Sequence, residues 1–350
     1  MKKILLSVTI LSIVFFISIR FASAQEKQYK VGCLAFYNTE NFYDTINDPK
    51  TNDDEFTPGG KSSWTSKRYW TKVDHLSRVI SQIGDELVKG GPVLMGLSEI
   101  ENEQVLKDLV NSPALKPSNY GIVHYDSPDK RGIDVSFIYQ KQYFTVTSSK
   151  PVKLAIPEKP DWKTRDQLVV AGKFDGESLY IIVNHWPSRS GGEKKSAPLR
   201  IAAADLCKSI VDSIQKIDST AKIIIMGDLN DDPTNKSIVK HLKAKSEITE
   251  TGKKDLFNPM YNMFKKEGIG SLAYRDNWNL FDQIIVSGTL LGDDKSTYKF
   301  FKAKIFNKNF LVQKEGAFAG YPYRTSAGGV YLGGYSDHFP AYIFLVKDSK

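Results

Sequence analysis

Short apolar runs that end on a polar side chain recur along this 350-residue chain. Val31–Tyr37 stops at Asn38 and Val93–Leu97 leads to Glu99. Tyr180–Val183 leads to His185, and Lys222–Met226 leads to Asp228 and Asn230. Gln283–Val286 follows Asp282, and Ala341–Val346 follows Asp337 and His338. With Ile133–Tyr139 these runs read as strands, several of them apolar throughout, as in strands buried on both faces. Strands that stop on Asn, Glu, Asp or His set those side chains along one rim of a sheet. Between the first two strands, Trp70, Val73, Ser77, Ile80, Ile83 and Leu87 recur at helical steps. Leu199–Ile214 reads as a second helix, with Pro198 placed for its first turn. Asp175-Gly176 between apolar stretches marks a hairpin.

Lys2 and Lys3, the apolar stretch Ile4–Ile19 and Ala22-Ser23-Ala24 have the build of a secretory signal peptide, residues 1–24, with the mature chain beginning near Gln25. A membrane anchor is the alternative, but the stretch is short and broken by Ser and Thr, whereas a spanning helix needs roughly 20 apolar residues. The expectation is an exported protein, periplasmic or extracellular, with no stable membrane insertion after cleavage. Residues 25–350 contain no low-complexity linker or repeat, and the rim segments run from 38 to 338, so one catalytic domain and a monomer are expected. Removal of Lys2, Lys3 and Arg20 lowers the formal charge of +8 by three, to +5. That suits an anionic ligand but does not require one. Cys33 and Cys207 fall in separate elements, and two buried thiols are expected rather than a disulfide.

The rim residues are oxygen-rich, as a hard divalent cation requires, and phosphoryl transfer needs little besides such an ion, proton carriers and charge stabilisers. Glu99 alone could be a charge that ends a strand in solvent. With Asn38 in the same position on another strand, a metal site is favoured. Asp228 and Asn230 point to one side of extended backbone, and Asp231-Asp232-Pro233 beyond them favours a turn that exposes the pair. Asp228 can orient or deprotonate a water, and Asn230 can donate to a phosphate oxygen. His75, His124 and His241 have no such context and read as structural or surface residues. Arg131, an Arg before a strand, reads from its position as a surface charge that Asp134 could cap or pair. Arg200, opening a helix beyond the Arg189–Arg200 loop, is the best placed of that loop's cations to reach phosphate. Between Tyr298 and Tyr335, lysines and Arg324 interleave with aromatics, which suits nucleic acid and equally suits an edge hairpin.

In order and local context, Asn38, Glu99, His185, Asp228, Asn230, Asp282, Asp337 and His338 resemble the site of the endonuclease/exonuclease/phosphatase superfamily, the deoxyribonuclease I-like group. Gly227-Asp228-Leu229-Asn230 and Ser336-Asp337-His338-Phe339-Pro340 are the most specific pieces, and Asn38-Thr39-Glu40-Asn41-Phe42-Tyr43-Asp44 and Arg131-Gly132-Ile133-Asp134 look most like exported bacterial members. The resemblance implies a four-layer α/β/β/α sandwich of two mixed sheets flanked by helices. It implies Mg²⁺ or Mn²⁺ held by Asn38, Glu99 and Asp337, with one or two ions left open. His185 and His338 would act at the scissile phosphate, Asp282 orienting His338, and Arg131, in the segment that lies beside the phosphate site in bacterial members, is a candidate phosphate clamp. The expected activity is phosphodiester hydrolysis, with DNA or RNA the leading substrate. The alternatives are a phosphatase or phosphodiesterase for small organophosphates or phospholipid headgroups, and an inactive binding module. The intact residue set counts against the last.

Overall fold

A computed structural model describes residues 28–156 and 159–349; the signal-peptide reading lies outside them. The strands are β1 Tyr29–Phe42, β2 Leu94–Ile100, β3 Tyr120–His124, β4 Asp134–Gln140, β5 Phe144–Val152, β6 Gln167–Phe174, β7 Glu177–His185 and β8 Ile223–Asp228. They continue as β9 Ala244–Lys245, β10 Leu256–Phe257, β11 Leu272–Tyr274, β12 Asn277–Asn279, β13 Asp282–Ser287, β14 Lys299–Ile305, β15 Ser326–Ala327, β16 Val330–Tyr331 and β17 Ala341–Asp348. The helices are α1 Ser66–Ile80, α2 Glu103–Val110, α3 Glu193–Ile217 and α4 Met260–Lys265. One sheet runs β14-β17-β1-β2-β4-β3 and the other β5-β6-β7-β8-β13-β10-β9. Both mix parallel pairs, β1 with β2 and β7 with β8, with antiparallel ones.

Alternation along the strands sorts their side chains into layers. Ile181, Val183, Ile224, Met226, Ile284 and Val286 join the core against the first sheet. Their neighbours Ile182, Ile223, Ile225 and Ile285 turn the other way, onto Ala203, Ala204, Cys207 and Val211 of α3. Val73, Leu76 and Ile80 of α1 and Val105, Leu106 and Leu109 of α2 belong to the first core, so the order is helix, sheet, sheet, helix. Each sheet is therefore apolar on both faces, which is why its strands read as unbroken hydrophobic runs. The two cysteines are free and buried, Cys33 in the first core and Cys207 in the second. No helix among the described residues is long and apolar enough to cross a membrane.

Three expectations shift. α1 ends at Ile80; Gly84 follows at φ +81°, and a Cβ there would stand 2.6 Å from Cys33 Sγ. Tyr69 takes the buried position expected for Trp70, which is half exposed, as is Leu87. α3 starts at Glu193, so Pro198 lies inside it and half of the expected Pro187–Arg200 loop is helix. The run after Tyr298 supplies β14 at the edge of the first sheet. There Lys304 meets Glu86 at 2.9 Å, Lys308 lies 3.7 Å from Asp85, and Lys302 stands over Phe344. These lysines shield an exposed strand edge rather than forming a free basic face.

Gly96 sets how closely the two sheets approach: a Cβ there would lie 2.7 Å from Met226 Sδ and 2.9 Å from Val183 Cγ1. Gly96→Ala should therefore cost about 1–3 kcal/mol by overpacking. Guanidinium unfolding measures this, and a loss below about 0.5 kcal/mol, the size of a typical surface substitution, would mean the sheets do not meet there.

Candidate active site

The inward parity that buries Val183, Met226 and Ile284 carries on to the rim, where His185, Asp228 and Asp282 complete the same series. His185 pairs with Asp228, and Asp228 with Asp282, so the three stand on adjacent strands. Asn38 ends the corresponding run on β1. Asp228 Oδ2 is the meeting point: Asn38 Nδ2 donates to it at 3.0 Å, His185 Nε2 lies at 3.5 Å and His338 Nε2 at 4.0 Å. Asp228 Oδ1 accepts from the Asn230 backbone N–H at 2.9 Å.

Irregular backbone brings in the remaining groups. Asn38 Oδ1 accepts from Glu40 N–H at 2.9 Å and starts a bulge in which Glu40 and Asn41 adopt φ +52° and +53°. Glu99 sits at a second bulge with φ +61°, which turns its carboxylate out of strand alternation. Its Oε2 accepts from Asn41 N–H at 2.8 Å, and its Oε1 lies 3.9 Å from His185 Nε2. Ser336 Oγ donates to Asn38 O at 2.7 Å and accepts from His338 N–H at 3.1 Å, which pins the Asp337-His338 loop to β1. Asp282 Oδ2 receives His338 Nδ1 at 2.6 Å and Ser271 Oγ at 2.5 Å. Asp337 is about one-third exposed, 3.9 Å from His338 Nε2.

The two histidines are driven apart in charge. Burial holds His185 well below the ordinary histidine value, reinforced by Arg165, Arg131 and His338. Burial also opposes charge on His338, yet Asp282, Asp337 and Asp228 outweigh it and hold His338 well above that value. Burial raises Asp228 to about 6, with His338 pulling it down and Asp282 pushing it up. A neutral imidazole, an imidazolium and a carboxylate thus face one small space, the division of states that acid–base and electrostatic catalysis require. Glu99, 3.9 Å from His185, and Asp337, 3.9 Å from His338, add carboxylate oxygens, a donor type suited to a hard divalent cation. Asn38 has its oxygen on Glu40 N–H and its nitrogen on Asp228, so it holds the site together as well as lying beside it.

All eight rim residues read from the sequence converge here, and Arg131 lies on the border of the adjoining cleft. Arg200 does not. It is fully buried, with Nε 2.7 Å from Asp231 Oδ1 as an off-axis charge contact and its other nitrogens on Ser188 O, Ser196 Oγ and Glu193 O. It braces the start of α3 and is withdrawn as a phosphate ligand. Arg189 likewise turns onto Asp231, Asp232 and Glu193. Asp134 pairs with His124 at 2.9 Å instead of Arg131. His75 contacts Gly334 O and His241 pairs with Asp205, both away from the rim cluster. Asn230 Nδ2 donates to Trp186 O at 3.0 Å, an oxygen shared with Arg165 at 2.7 Å. Arg165 and Ser271 had no sequence signal beyond their residue type, and Ser336 was legible only as the start of the Ser336–Pro340 motif.

Two buried charges, Lys72 and Glu40, had no signal in the sequence either. Lys72 donates to Thr325 Oγ1 and to Tyr335 O, while Glu40 accepts from Thr325 N–H at 2.6 Å and Ser326 N–H at 3.1 Å. Burial raises Glu40 to about 7 and lowers Lys72 to about 8, each tempered by the other. The pair fastens the segment that leads into Ser336 and His338.

The sequence profile of the Endonuclease/Exonuclease/phosphatase family matches residues 33–347, and the chain belongs to that family. No protein of curated function matches it by sequence. Among solved structures, an endonuclease/exonuclease/phosphatase family protein from Bacteroides thetaiotaomicron is 16% identical, with 92% of this chain and 100% of that one covered and a TM-score of 0.55. TDP2 of D. rerio complexed with a single-strand DNA product is 13% identical over 90% and 98% of the chains, TM-score 0.53. The mannosyl-6-phosphatase of B. thetaiotaomicron VPI-5482 is 16% identical over 89% and 98%, TM-score 0.53. At these identities the likeness is one of fold. Members of the family are hydrolases of phosphoester bonds that generally use divalent metals, and a phosphodiester substrate is consistent with it.

Lys72→Met removes the donor to Thr325 Oγ1 and Tyr335 O and the positive charge that eases burial of Glu40. It should destabilise by about 1–3 kcal/mol, the cost of buried polar groups left unsatisfied, and adding Glu40→Gln should restore part of it. Denaturant unfolding of the three variants decides; a double mutant as unstable as the sum of the singles would mean the two residues do not act as a pair.

Proposed function

We propose that the protein is an exported, metal-dependent phosphoesterase that hydrolyses phosphodiester bonds, with nucleic acid the leading substrate. The observation that supports this most is the meeting of oppositely tuned histidines at Asp228 Oδ2, with Glu99 and Asp337 beside them. Asp228 takes the proton of the attacking water, which its position between strand ends allows it to orient. His338, kept charged by Asp282, stabilises negative charge developing on the phosphoryl group or protonates the leaving oxygen. Neutral His185 presents an Nε2–H donor from the opposite side. Asn230 Nδ2 has one N–H on Trp186 O and a second free for a phosphate oxygen. Glu99 and Asp337, flanked by Asn38, would hold Mg²⁺ or Mn²⁺, which supplies Lewis-acid stabilisation of the phosphoryl group when bound.

A second reading, hydrolysis of small organophosphates, is favoured by the lysines of β14, which are engaged along a strand edge instead of lying open for a polyanion. Purified mature protein assayed with Mg²⁺ or Mn²⁺ on linear and supercoiled DNA, RNA, sphingomyelin, inositol phosphates and bis(4-nitrophenyl) phosphate separates the two. Cleavage confined to the small esters would displace nucleic acid as substrate.

Activity should vanish with EDTA and return with Mg²⁺ or Mn²⁺. His185→Ala and His338→Ala should each lower turnover on the order of 10²-fold or more, while His75→Gln, His124→Gln and His241→Gln should stay near parent once stability is controlled. Undiminished hydrolysis in excess EDTA, or equal losses at all five histidines, would overturn the assignment.

A further inference from the structure

A cleft of about 510 Å³ opens beside the rim cluster, bordered by Asn41, Tyr43 and Trp64 on one wall and by Thr325, Ser326 and Gly328 on the other. Arg131, Arg324 and Asp337 share it. It is the size of a small-molecule pocket rather than of a groove for continuous duplex. The far wall is the β15–β16 ribbon, whose turn residues Gly328 and Gly329 adopt φ +58° and +81°. Glu40 accepts from the Thr325 and Ser326 N–H groups and Lys72 donates to Thr325 Oγ1, so the base of that ribbon is held in place before any ligand arrives.

Charge decides what the cleft can take. Its acids are Glu40, Glu55 and Asp337. Glu40 is spent on two backbone N–H groups, and Glu55 Oε1 accepts from Ser62 Oγ at 2.9 Å. The arginines are less engaged. Arg131 is fixed through its backbone, with Tyr43 Oη donating to its carbonyl at 2.8 Å, while its side chain is about half exposed. Its nearest acid, Asp129, stands 3.8 Å away and already pairs with Arg165 at 3.0 Å. Arg324 stacks on Phe318 with 5.0 Å to the ring centre, and its Nη2 reaches only to 3.6 Å from Asp337 Oδ2. The side chain is one-fifth exposed, and no hydrogen bond holds its guanidinium. Two guanidinium groups with donors to spare, one fixed by stacking and one by its backbone, match the planar recognition of a phosphate.

We propose that this cleft binds a second phosphate of the substrate, so that the site selects compact substrates carrying two phosphates or strand ends that terminate in one. This rests on the phosphoesterase reading and names the group that sits beyond the bond being cleaved. It also gives Arg324 a role apart from the lysines that precede it in the 298–335 run.

The test is binding, which needs no turnover. Titration calorimetry of the full mature protein in Mg²⁺ compares thymidine 3′,5′-bisphosphate with thymidine 5′-monophosphate. The bisphosphate should bind at least about tenfold more tightly, one decade of Kd. Arg324→Gln should bring the two within about threefold of each other, and Arg131→Gln should do the same if the first variant fails to fold. Lys302→Gln, outside the cleft, should keep the preference. In competition, a 3′-phosphorylated trinucleotide that displaces the bisphosphate assigns the second phosphate to strand ends; failure of the trinucleotide with the preference intact assigns it to small bisphosphates. Equal affinities in the parent, no binding of either nucleotide, or an unchanged preference in both arginine variants would overturn the proposal. A bisphosphate preference without hydrolysis of any phosphoester would instead sink the enzymatic reading and leave the subsite standing.

Discussion

The structure depends on one constraint: two sheets, each apolar on both faces, stacked so closely that Gly96 stands where a side chain would collide with Met226 and Val183. Because side chains alternate along a strand, the residues that face this interior are fixed over the length of each strand. Where the strands end, the alternation does not. His185, Asp228 and Asp282 occupy the inward positions one step beyond the last apolar residue, and so inherit a dry wall on one side and the rim on the other. Burial then does the electrostatic work. It neutralises His185, lifts Asp228, and is outweighed at His338 by Asp282, 2.6 Å from the ring, with Asp337 and Asp228 behind it.

Irregular backbone supplies what alternation cannot. Glu99, Glu40 and Asn41 are non-glycine residues at positive φ, a costly conformation that the bulges of β1 and β2 impose. Its effect is to bring Glu99 across to Asn41 N–H and to send Glu40 toward Thr325 and Ser326. One short segment, Asn38 to Asn41, thereby connects the proton-handling groups, the carboxylate oxygens and the strap that carries His338.

The strands were legible in the sequence because each is a continuous apolar run with a polar stop, and the rim residues because those stops share a chemistry. The hairpin at Asp175-Gly176 was equally plain, since both residues take the positive φ that such turns require. What escaped depends on contacts between distant segments. Arg200 follows catalytic candidates in the chain, but chain proximity does not say where a long side chain points, and Asp231 from another loop captures it. Lys302, Lys304 and Lys308 looked like a basic face until β14 proved to be an edge strand with acids beside it. Lys72 sits beside Val73 in α1 and gives no hint of burial, because its partners Thr325 and Tyr335 come from elsewhere in the chain.

The account turns on the opposed charge states of the two rim histidines, and nitrogen NMR of the imidazole rings in metal-free protein reads them directly. His338 should remain an imidazolium and His185 a neutral ring from about pH 5.5 to about 7.5, across the range where an unperturbed histidine titrates. In Asp282→Asn, His338 should lose its proton at lower pH than in the parent, while His185 stays neutral. Two rings that titrate together near about 6.5, the ordinary histidine value, and ignore the Asp282 substitution would contradict the account.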